Sequence, residues 1–311
     1  MSDKYSNDFI NALKNHDTQT LLSIPKSDVH NHLGRGCRVE WLSEKMNHTF
    51  AKPPAVFDGL LGMQDWYVNN IRDYCRAHDS NQTDYRREGC FAEAERNHLS
   101  RFAPSFSETD IEDYGSLKNF CDYYDALHEP ELAYQSYADI ESKLAQAEEY
   151  FSSGYFKSID VCCGEGYKPF SDYIPLYKIA EKYGVLKRMH VGETGTAEEI
   201  EEAIDTLGLD EIHHGINVVH SPKVMKLLAD RKITLNVCPT SNIKLGYAKS
   251  YAEHPIKILV ENGVPVTINT DDLLIFDSAI DEEYQHLYDA GTLTAEQLDD
   301  IRCWGLRSGT K

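Results

Sequence analysis

The carboxy-terminal half of this chain alternates short apolar runs with amphipathic stretches of helical length, and that alternation constrains the fold more than any other feature. The run "GYFKSIDVCCGE" predicts a strand that ends at Gly164, and "DYIPLYKIAEKYG" then predicts a helix that stops at Gly184. The succession repeats through the strand-like runs "VLKRMHVGE", "DEIHHG", "KITLNVCP" and "VPVTINTDD". Strands that alternate with helices in this way indicate a parallel sheet covered by helices.

The amino-terminal half of the chain is less regular. One earlier strand, "KSDVHNH", spans residues 26–32, and the region from about 40 to 150 is dominated by helix-like stretches such as "SYADIESKLAQAEEYF". We therefore expect helical insertions after the first strand, with one or two further strands in this region that the pattern does not place. No linker rich in Pro, Gly or Ser divides the chain, so we expect a single domain over residues 1–311.

Most of the predicted strands end in polar or glycine-containing residues, and this position favours a closed barrel. In an (β/α)8 barrel the carboxyl ends of the strands meet at one rim, whereas an open sheet would spread them along a line. The sequence therefore predicts an α/β fold of the (β/α)8 TIM-barrel type. The residues expected at its rim are His30, His32, Gly164, Glu165, His190, Glu193, His214, Ser241, Asp271 and Asp272.

The composition excludes several classes of partner. A formal net charge of −20 over 311 residues repels the phosphates of nucleic-acid polymers and of anionic membranes, so we expect neither as a partner. The amino terminus lacks the apolar region of a signal peptide, and no stretch approaches the roughly 18 apolar residues of a membrane span. The eight cysteines include no Cys-x-x-Cys spacing, so we expect reduced, mostly buried thiols and a cytoplasmic protein.

His30 and His32 are the first candidate metal ligands. Their spacing places both imidazoles on one face of a strand, an arrangement that allows both to bind one metal ion. The other pieces are weak signals when taken alone, since a lone His190 is more often a core histidine and "TDD" more often ends a strand and caps a helix. Their common position at strand ends predicts a site.

Six pieces, "HNHLG", "CCGEG", "HVGET", "HHG", "NVCPTSN" and "NTDDLLIF", resemble the adenosine deaminase family of the amidohydrolase superfamily, in the order of that family. The resemblance covers residues from about 26 to 280. It implies an (β/α)8 barrel with one zinc ion, and it gives Asp271 a catalytic role in addition to ligation. The implied ligands are His30, His32, His190 and Asp271. Neutral imidazoles and one carboxylate are ligands of catalytic Zn²⁺, which keeps one position for water.

The same resemblance implies roles for the remaining residues in the hydrolytic removal of the amino group at C6 of a purine. Glu193 would donate a proton to N1, and His214 would orient the attacking hydroxide and accept its proton. Asp272 would hold N7 or steer the hydroxide, and the Gly164 N–H would bind N3. Ser241 is a candidate second-layer hydrogen-bonder or substrate contact. The products would be a 6-oxopurine and ammonia.

The turn after the first strand departs from the family pattern. Gly34 stands where these deaminases usually carry an aspartate that contacts the sugar, and Arg35 and Arg38 follow it. A glycine leaves space for a 5′-phosphate and an arginine can bind it bidentately, so AMP or dAMP is one predicted substrate. In the alternative interpretation both arginines pair with acidic residues of the protein, and the substrate is the nucleoside.

Two other functions are compatible with the sequence. The chain could be another amidohydrolase that acts on a different C–N bond, although the fourth strand lacks the tip lysine of the two-metal members. It could also be a non-catalytic barrel in an assembly. A homo-oligomer is possible, and the ligand set would also accept Fe²⁺ or Mn²⁺. The sugar, the phosphate state and the tolerance of N6-alkyl groups are not determined by the sequence.

Overall fold

The computed structural model describes residues 2–124 and 129–309, which form parallel strands interspersed with helices. The strands are β1 Lys26–His32, β2 Leu99–Ser107, β3 Glu131–Gln135, β4 Ser158–Cys162, β5 Leu186–Lys187, β6 His190–Val191, β7 Glu211–His214, β8 Thr234–Val237 and β9 Val266–Ile268. The helices are α1 Ser6–Asn15, α2 Thr18–Ser23, α3 Val39–Lys45, α4 Gly59–Tyr67, α5 Asp73–His78, α6 Gln82–Arg96, α7 Glu108–Glu112, α8 Leu117–Tyr123, α9 Ile140–Ser152, α10 Ile174–Lys182, α11 Ala197–Leu207, α12 Pro222–Arg231, α13 Pro239–Lys244, α14 Ile256–Glu261, α15 Leu273–Phe276, α16 Ile280–Asp289 and α17 Ala295–Gly305. No helix in the described ranges is both long and apolar enough to cross a membrane.

The chain folds into two compact units, each assembled from separate stretches of sequence. The first unit comprises Met1–Ser100, Cys238–Lys257 and Ile268–Leu306. The second unit comprises Arg101–Val237, Ile258–Thr267 and Arg307–Lys311. Since neither unit is one continuous segment, no linker between them is visible in the sequence, and the single domain expected over 1–311 stays a prediction.

The second unit contains parallel strands that are buried along most of their length. β2 to β5 lie in sequence order, with Glu131 of β3 opposite Ser158 of β4, and β6 to β9 also follow each other in order. All residues of β4 are buried. Burial on both faces is typical of parallel strands covered by helices.

Helix α11 shows how the sequence defines the helices of this unit. Thr196 accepts a hydrogen bond from the Glu199 N–H, and the Glu199 carboxylate accepts one from the Thr196 N–H, which begins the helix with a capping box. The helix ends at Gly208, whose φ of 66° lies in the left-handed region that glycine adopts without strain. Between these ends a single apolar stripe faces the core, consisting of Ile200, Ala203, Ile204 and Leu207.

In the first unit, β1 joins the segment around Asp271. The His32 N–H donates to the Asp271 carbonyl at 3.3 Å, and the Asp271 N–H donates to the His30 carbonyl at 3.0 Å. The Asn269 side chain adds a bond from the Val29 N–H at 2.8 Å. These bonds place the "HNH" and "TDD" motifs beside each other, although about 240 residues separate them.

The structure places the strands that the sequence pattern left unplaced, and it divides one predicted strand into two. The unplaced strands are β2 and β3, and β2 begins directly after the helical run that ends at Arg96. The run "VLKRMHVGE" is two short strands instead of one, because the Arg188 N–H bonds to β4 whereas the Met189 carbonyl accepts from β7. The predicted helical insertions after the first strand are confirmed as α3 to α6.

Candidate active site

Three predicted metal ligands lie together in the first unit. The Nε2 atoms of His32 and His30 are 3.2 Å and 3.9 Å from Oδ1 of Asp271. The two imidazole rings are 5.7 Å apart and nearly perpendicular, as expected for residues that project from the same side of β1. All three residues are at least partly shielded from solvent, and His30 is 1% exposed.

Hydrogen bonds and charges orient this cluster. The Ser241 hydroxyl donates to Oδ2 of Asp271 at 2.7 Å, so Oδ1 is the oxygen nearer the two imidazoles. Burial lowers the pKa of His32, but Asp272 and Asp271 more than offset it and raise that pKa to about 9. The cluster therefore favours a positive charge at His32, either a proton or a metal cation.

The donor set of this cluster fits a zinc ion. Two imidazole nitrogens and one carboxylate oxygen converge, and nitrogen with carboxylate is a combination that Zn²⁺ takes in catalytic sites. Cys238 was missed by the sequence prediction, and its Sγ lies 3.3 Å from Nδ1 of His30. A partner on Nδ1 fixes the ring of a metal-binding histidine so that Nε2 is presented to the metal.

Both arginines of the turn after β1 have carboxylate partners. Arg35 Nη1 lies 2.9 Å from Oδ2 of Asp272, a carboxylate side chain that is 3% exposed. Arg38 lies between Glu93 at 3.2 Å and Glu282 at 3.0 Å. The structure thus shows the ion pairs of the alternative interpretation, and the phosphate contact predicted for Arg35 and Arg38 stays a prediction.

His190 lies in the second unit, where β6 begins. Its Nδ1 is 2.9 Å from Oδ2 of Asp160, which is completely buried in the middle of β4. A carboxylate beside Nδ1 leaves Nε2 as the nitrogen available to a metal. Asp160 was also missed by the sequence prediction, although an aspartate between Ile159 and Val161 in a predicted buried strand is the signal that could have identified it.

Glu193 and His214 meet in the same unit. Oε1 of Glu193 lies 3.3 Å from Nδ1 of His214, and both residues are buried. His214 has a φ of 62°, a backbone conformation that is uncommon for residues other than glycine. The neighbouring His213 is instead completely buried, with its Nε2 3.2 Å from Glu131. A carboxyl group and an imidazole in contact can hold and exchange a proton.

Glu165 fixes the loop that carries Glu193. Its carboxylate accepts hydrogen bonds from four successive backbone N–H groups, those of residues 192–195, at 2.8 to 2.9 Å. The Asn217 amide donates to the carbonyls of Glu193 and Gly195 from the other side of the loop. The motif "CCGEG" contains Glu165, but nothing in the sequence shows that it binds a loop 27 residues later.

Gly164 lines a pocket of about 330 Å³ within the second unit, together with Ser136, Tyr167 and His190. Its φ is 109°, and a Cβ atom there would lie 2.9 Å from the Tyr167 ring. Only glycine therefore fits this position, which leaves its backbone exposed at the pocket wall.

The chain matches proteins of one family. A family profile described as adenosine deaminase matches residues 138–310, which is more than half of the chain. The chain belongs to the adenosine deaminase family. A putative adenosine/adenine deaminase of Treponema pallidum is 38% identical over 159 residues, which cover 50% of this chain and 53% of that protein. The chain thus spans about half the length of this curated relative.

Two solved structures of deaminases are similar to this chain in fold. The adenine deaminase of Arthrobacter aurescens is similar with a TM-score of 0.76 and 20% identity over 91% of this chain and 93% of that one. The N6-methyl-AMP deaminase of Arabidopsis thaliana gives a TM-score of 0.72 and 17% identity over 92% and 91%. The predicted (β/α)8 fold class is confirmed by this likeness.

Proposed function

We propose that this protein is a metal-dependent hydrolase that removes the C6 amino group of a 6-aminopurine and releases ammonia. The observation that carries the proposal is the cluster of His30, His32 and Asp271, found in a chain of the adenosine deaminase family. The contact between Glu193 and His214 supports it, because hydrolysis at a ring carbon requires groups that deliver and accept protons.

Zinc is the proposed metal, held by His30, His32 and Asp271. The family resemblance adds His190 as a further ligand, which stays a prediction. When bound, the ion supplies a Lewis acid that lowers the pKa of water from 15.7 to about 7, which makes a nucleophile available at neutral pH. Ser241 keeps Asp271 in the orientation that the ligand set requires.

The protein's own side chains handle the protons of the reaction. We assign Glu193 to protonate N1, so that no negative charge accumulates on the ring when water adds to C6. His214 takes the proton from the attacking water. The Gly164 N–H is assigned to N3 of the purine, which orients C6. The Asp272 carboxylate, which is ion-paired with Arg35, is assigned to accept a hydrogen bond from the attacking water and so to steer it.

The ion pairs around the turn favour an uncharged substrate, either a nucleoside or the free base. A 5′-phosphate that binds Arg35 would have to displace the Asp272 carboxylate, and Arg38 is already neutralised by Glu93 and Glu282. Replacement of a buried carboxylate partner leaves that carboxylate unpaired, which is costly. A 5′-monophosphate is the second candidate, since the N6-methyl-AMP deaminase shares the fold and Arg35 is partly exposed.

The test is ammonia release by the zinc-loaded protein from adenosine, deoxyadenosine, adenine, AMP and dAMP in parallel. We expect higher kcat/KM for an unphosphorylated substrate than for its monophosphate. Stripping the metal should abolish turnover, and restoring zinc should return it. Absence of ammonia from every purine, with metal bound, would contradict the proposal and favour an amidohydrolase that acts on another C–N bond.

Arg35→Ala and Arg38→Ala separate the two substrate candidates. If the substrate is uncharged, Arg35→Ala changes kcat/KM for adenosine and AMP by the same factor. If a phosphate binds Arg35, the variant lowers kcat/KM for AMP selectively. Arg38→Ala serves as the matched control, because its guanidinium has two carboxylate partners of its own.

A further inference from the structure

Two consecutive cysteines, Cys162 and Cys163, lie at the carboxyl end of β4. Their sulfur atoms are 3.5 Å apart, which is close to van der Waals contact. Neither cysteine has a role in the proposed deaminase chemistry. All eight cysteines lie in the described residues, and no disulfide joins any of them.

The backbone at this pair has an unusual conformation. Cys163 has a φ of 70°, in the left-handed region that favours glycine, yet a cysteine occupies it. Ser136, in the neighbouring loop, fixes this geometry with two hydrogen bonds. Its N–H donates to the Cys162 carbonyl at 2.8 Å, and its hydroxyl donates to the Cys163 carbonyl at 3.3 Å. A strained residue that its surroundings hold in place is a reason to look for a function.

One of the two thiols is accessible. Cys163 is partly exposed, Cys162 beneath it is buried, and the adjacent Gly164 lines the 330 Å³ pocket of the second unit. Cys121 is the other partly exposed cysteine of the chain, whereas the remaining five are buried. An exposed thiol next to a second thiol is the arrangement in which a first oxidation product is captured as a disulfide.

We propose that Cys162 and Cys163 form a reversible redox site, in which hydrogen peroxide oxidises the two neighbouring thiols to a disulfide. The Cys163 thiolate attacks one oxygen of hydrogen peroxide, the O–O bond breaks, and sulfenic acid and hydroxide form. The Cys162 thiolate then displaces hydroxide from that sulfur, and an S–S bond forms. In total two thiols are oxidised, and one peroxide is reduced to two waters.

Geometry makes such a disulfide easy to reduce again. Consecutive Cα atoms are about 3.8 Å apart across a trans peptide, shorter than the roughly 4.4 to 6.8 Å that most disulfides span. The strained bond therefore has a high reduction potential, which is the property of labile and regulatory disulfides. Closing the sulfurs from 3.5 Å to bonding distance also moves the peptide that precedes Gly164, so oxidation alters the wall of the pocket.

The first test uses the wild-type protein and does not rest on the proposed function. After treatment with hydrogen peroxide we expect a mass loss of about 2 Da, which corresponds to one disulfide formed from two thiols. The number of titratable thiols should fall from eight to six. Dithiothreitol should restore both values, and peptide mapping should place the bond within the peptide that contains Cys162 and Cys163.

Single variants locate the site. After peroxide treatment, all seven thiols should remain titratable in Cys162→Ser and in Cys163→Ser. In Cys121→Ser, the matched control, the number of titratable thiols should still fall by two. A disulfide mapped to any other pair would overturn the proposal. So would stable oxidation of Cys163 with a mass gain of about 32 Da and no crosslink, since that is the irreversible sulfinic acid.

A second readout connects the site to the pocket. If the protein deaminates purines, peroxide should lower its turnover reversibly, and Cys162→Ser should remove that sensitivity. If it does not, the mass and thiol measurements still decide the redox proposal. The failure of one proposal is thus distinguishable from the failure of the other.

Discussion

Two segments, one in each unit, carry candidate site residues, and a glutamate supports each of them in a different way. In the first unit, Glu283 is completely buried beneath α13, the helix that carries Ser241, and accepts the Thr240 N–H at 3.1 Å. In the second unit, Glu165 is only half-buried and accepts four N–H groups from the loop of Glu193.

The two carboxyl groups differ in burial and in the number of backbone N–H groups that donate to them. Burial raises the pKa of Glu283 to about 8, and hydrogen bonding from Thr240 offsets this only in part. The Glu165 carboxylate instead accepts hydrogen bonds from four backbone N–H groups of one loop. The Glu283 contact therefore depends on pH near neutrality, whereas the Glu165 contacts depend on the conformation of one loop.

Glu193→Gln should have the largest effect, because it removes the proton that we propose Glu193 to donate while it preserves the side-chain size. We expect kcat to fall by about 10²- to 10⁴-fold, the usual contribution of a general acid. Steady-state ammonia release measures it, with metal content as the check that the first unit is unaffected. A kcat near the wild-type value would show that this loop does not hold the proton donor.

Ser241→Ala should affect the metal first, because it frees Oδ2 of Asp271 from its hydrogen bond. Loss of such a supporting contact typically weakens metal affinity or activity about 10- to 100-fold. Competition with a chelator measures the affinity. Ser23→Ala, an exposed serine of the same unit, is the control. Unchanged zinc affinity in Ser241→Ala would argue against Asp271 as a ligand.

Glu165→Gln should loosen the loop while leaving the metal cluster intact. An amide presents one acceptor oxygen instead of two, so two of the four N–H groups lose their acceptor. We expect about a tenfold loss of kcat, since 1.36 kcal/mol of positioning energy corresponds to a factor of ten. The control is Glu198→Gln, an exposed glutamate in the first turn of α11.

The readout for Glu165 includes the pH dependence of kcat as well as its size. A loop that merely supports folding would lower the melting temperature and leave the pH profile of the remaining activity unchanged. A loop that positions the proton donor should also shift the acid or alkaline limb of that profile. If kcat, KM and the pH profile all match the wild type, Glu165 has no positioning role.

Glu283→Gln should change stability rather than turnover, and only at higher pH. Its folded-state pKa of about 8 lies above the reference value of 4.5, so the folded protein prefers the protonated form. The stability contribution is therefore fully present below pH 4.5 and is lost as the pH rises towards 8, with a slope of at most about 1.4 kcal/mol per pH unit.

Gln mimics the protonated carboxyl, so the variant should match the wild type near pH 5 and exceed its free energy of unfolding near pH 8. Urea unfolding at several pH values measures the difference. Glu44→Gln, at an exposed glutamate of the same unit, should show no such trend. A variant less stable than the wild type at pH 8 would mean that Glu283 is ionised in the folded protein.

Much of the fold was predictable because periodicity is local. The capping box at Thr196, the glycine stop at Gly208 and the apolar stripe between them that define α11 all lie within about a dozen residues. β2 was not placed, since it begins three residues after α6 and its run "LSRFAPSFS" lacks the β-branched residues that mark strands.

By itself, the sequence determined the alternation of strands and helices in the carboxy-terminal half, the family, and the residue types that a metal site at the strand ends would use. The motifs carry that information because each is short and contiguous. The spacing of His30 and His32 on one face of β1 follows from the period of a strand.

Only the tertiary structure decided which charges meet. It set Arg35 against Asp272 and Arg38 against Glu93 and Glu282, and it gave His214 rather than His213 the contact with Glu193. It also turned Glu165 towards the Glu193 loop. Ion pairs and hydrogen bonds depend on distances across a few ångströms, and residues this far apart in the chain acquire such distances only when the sheet and helices have packed.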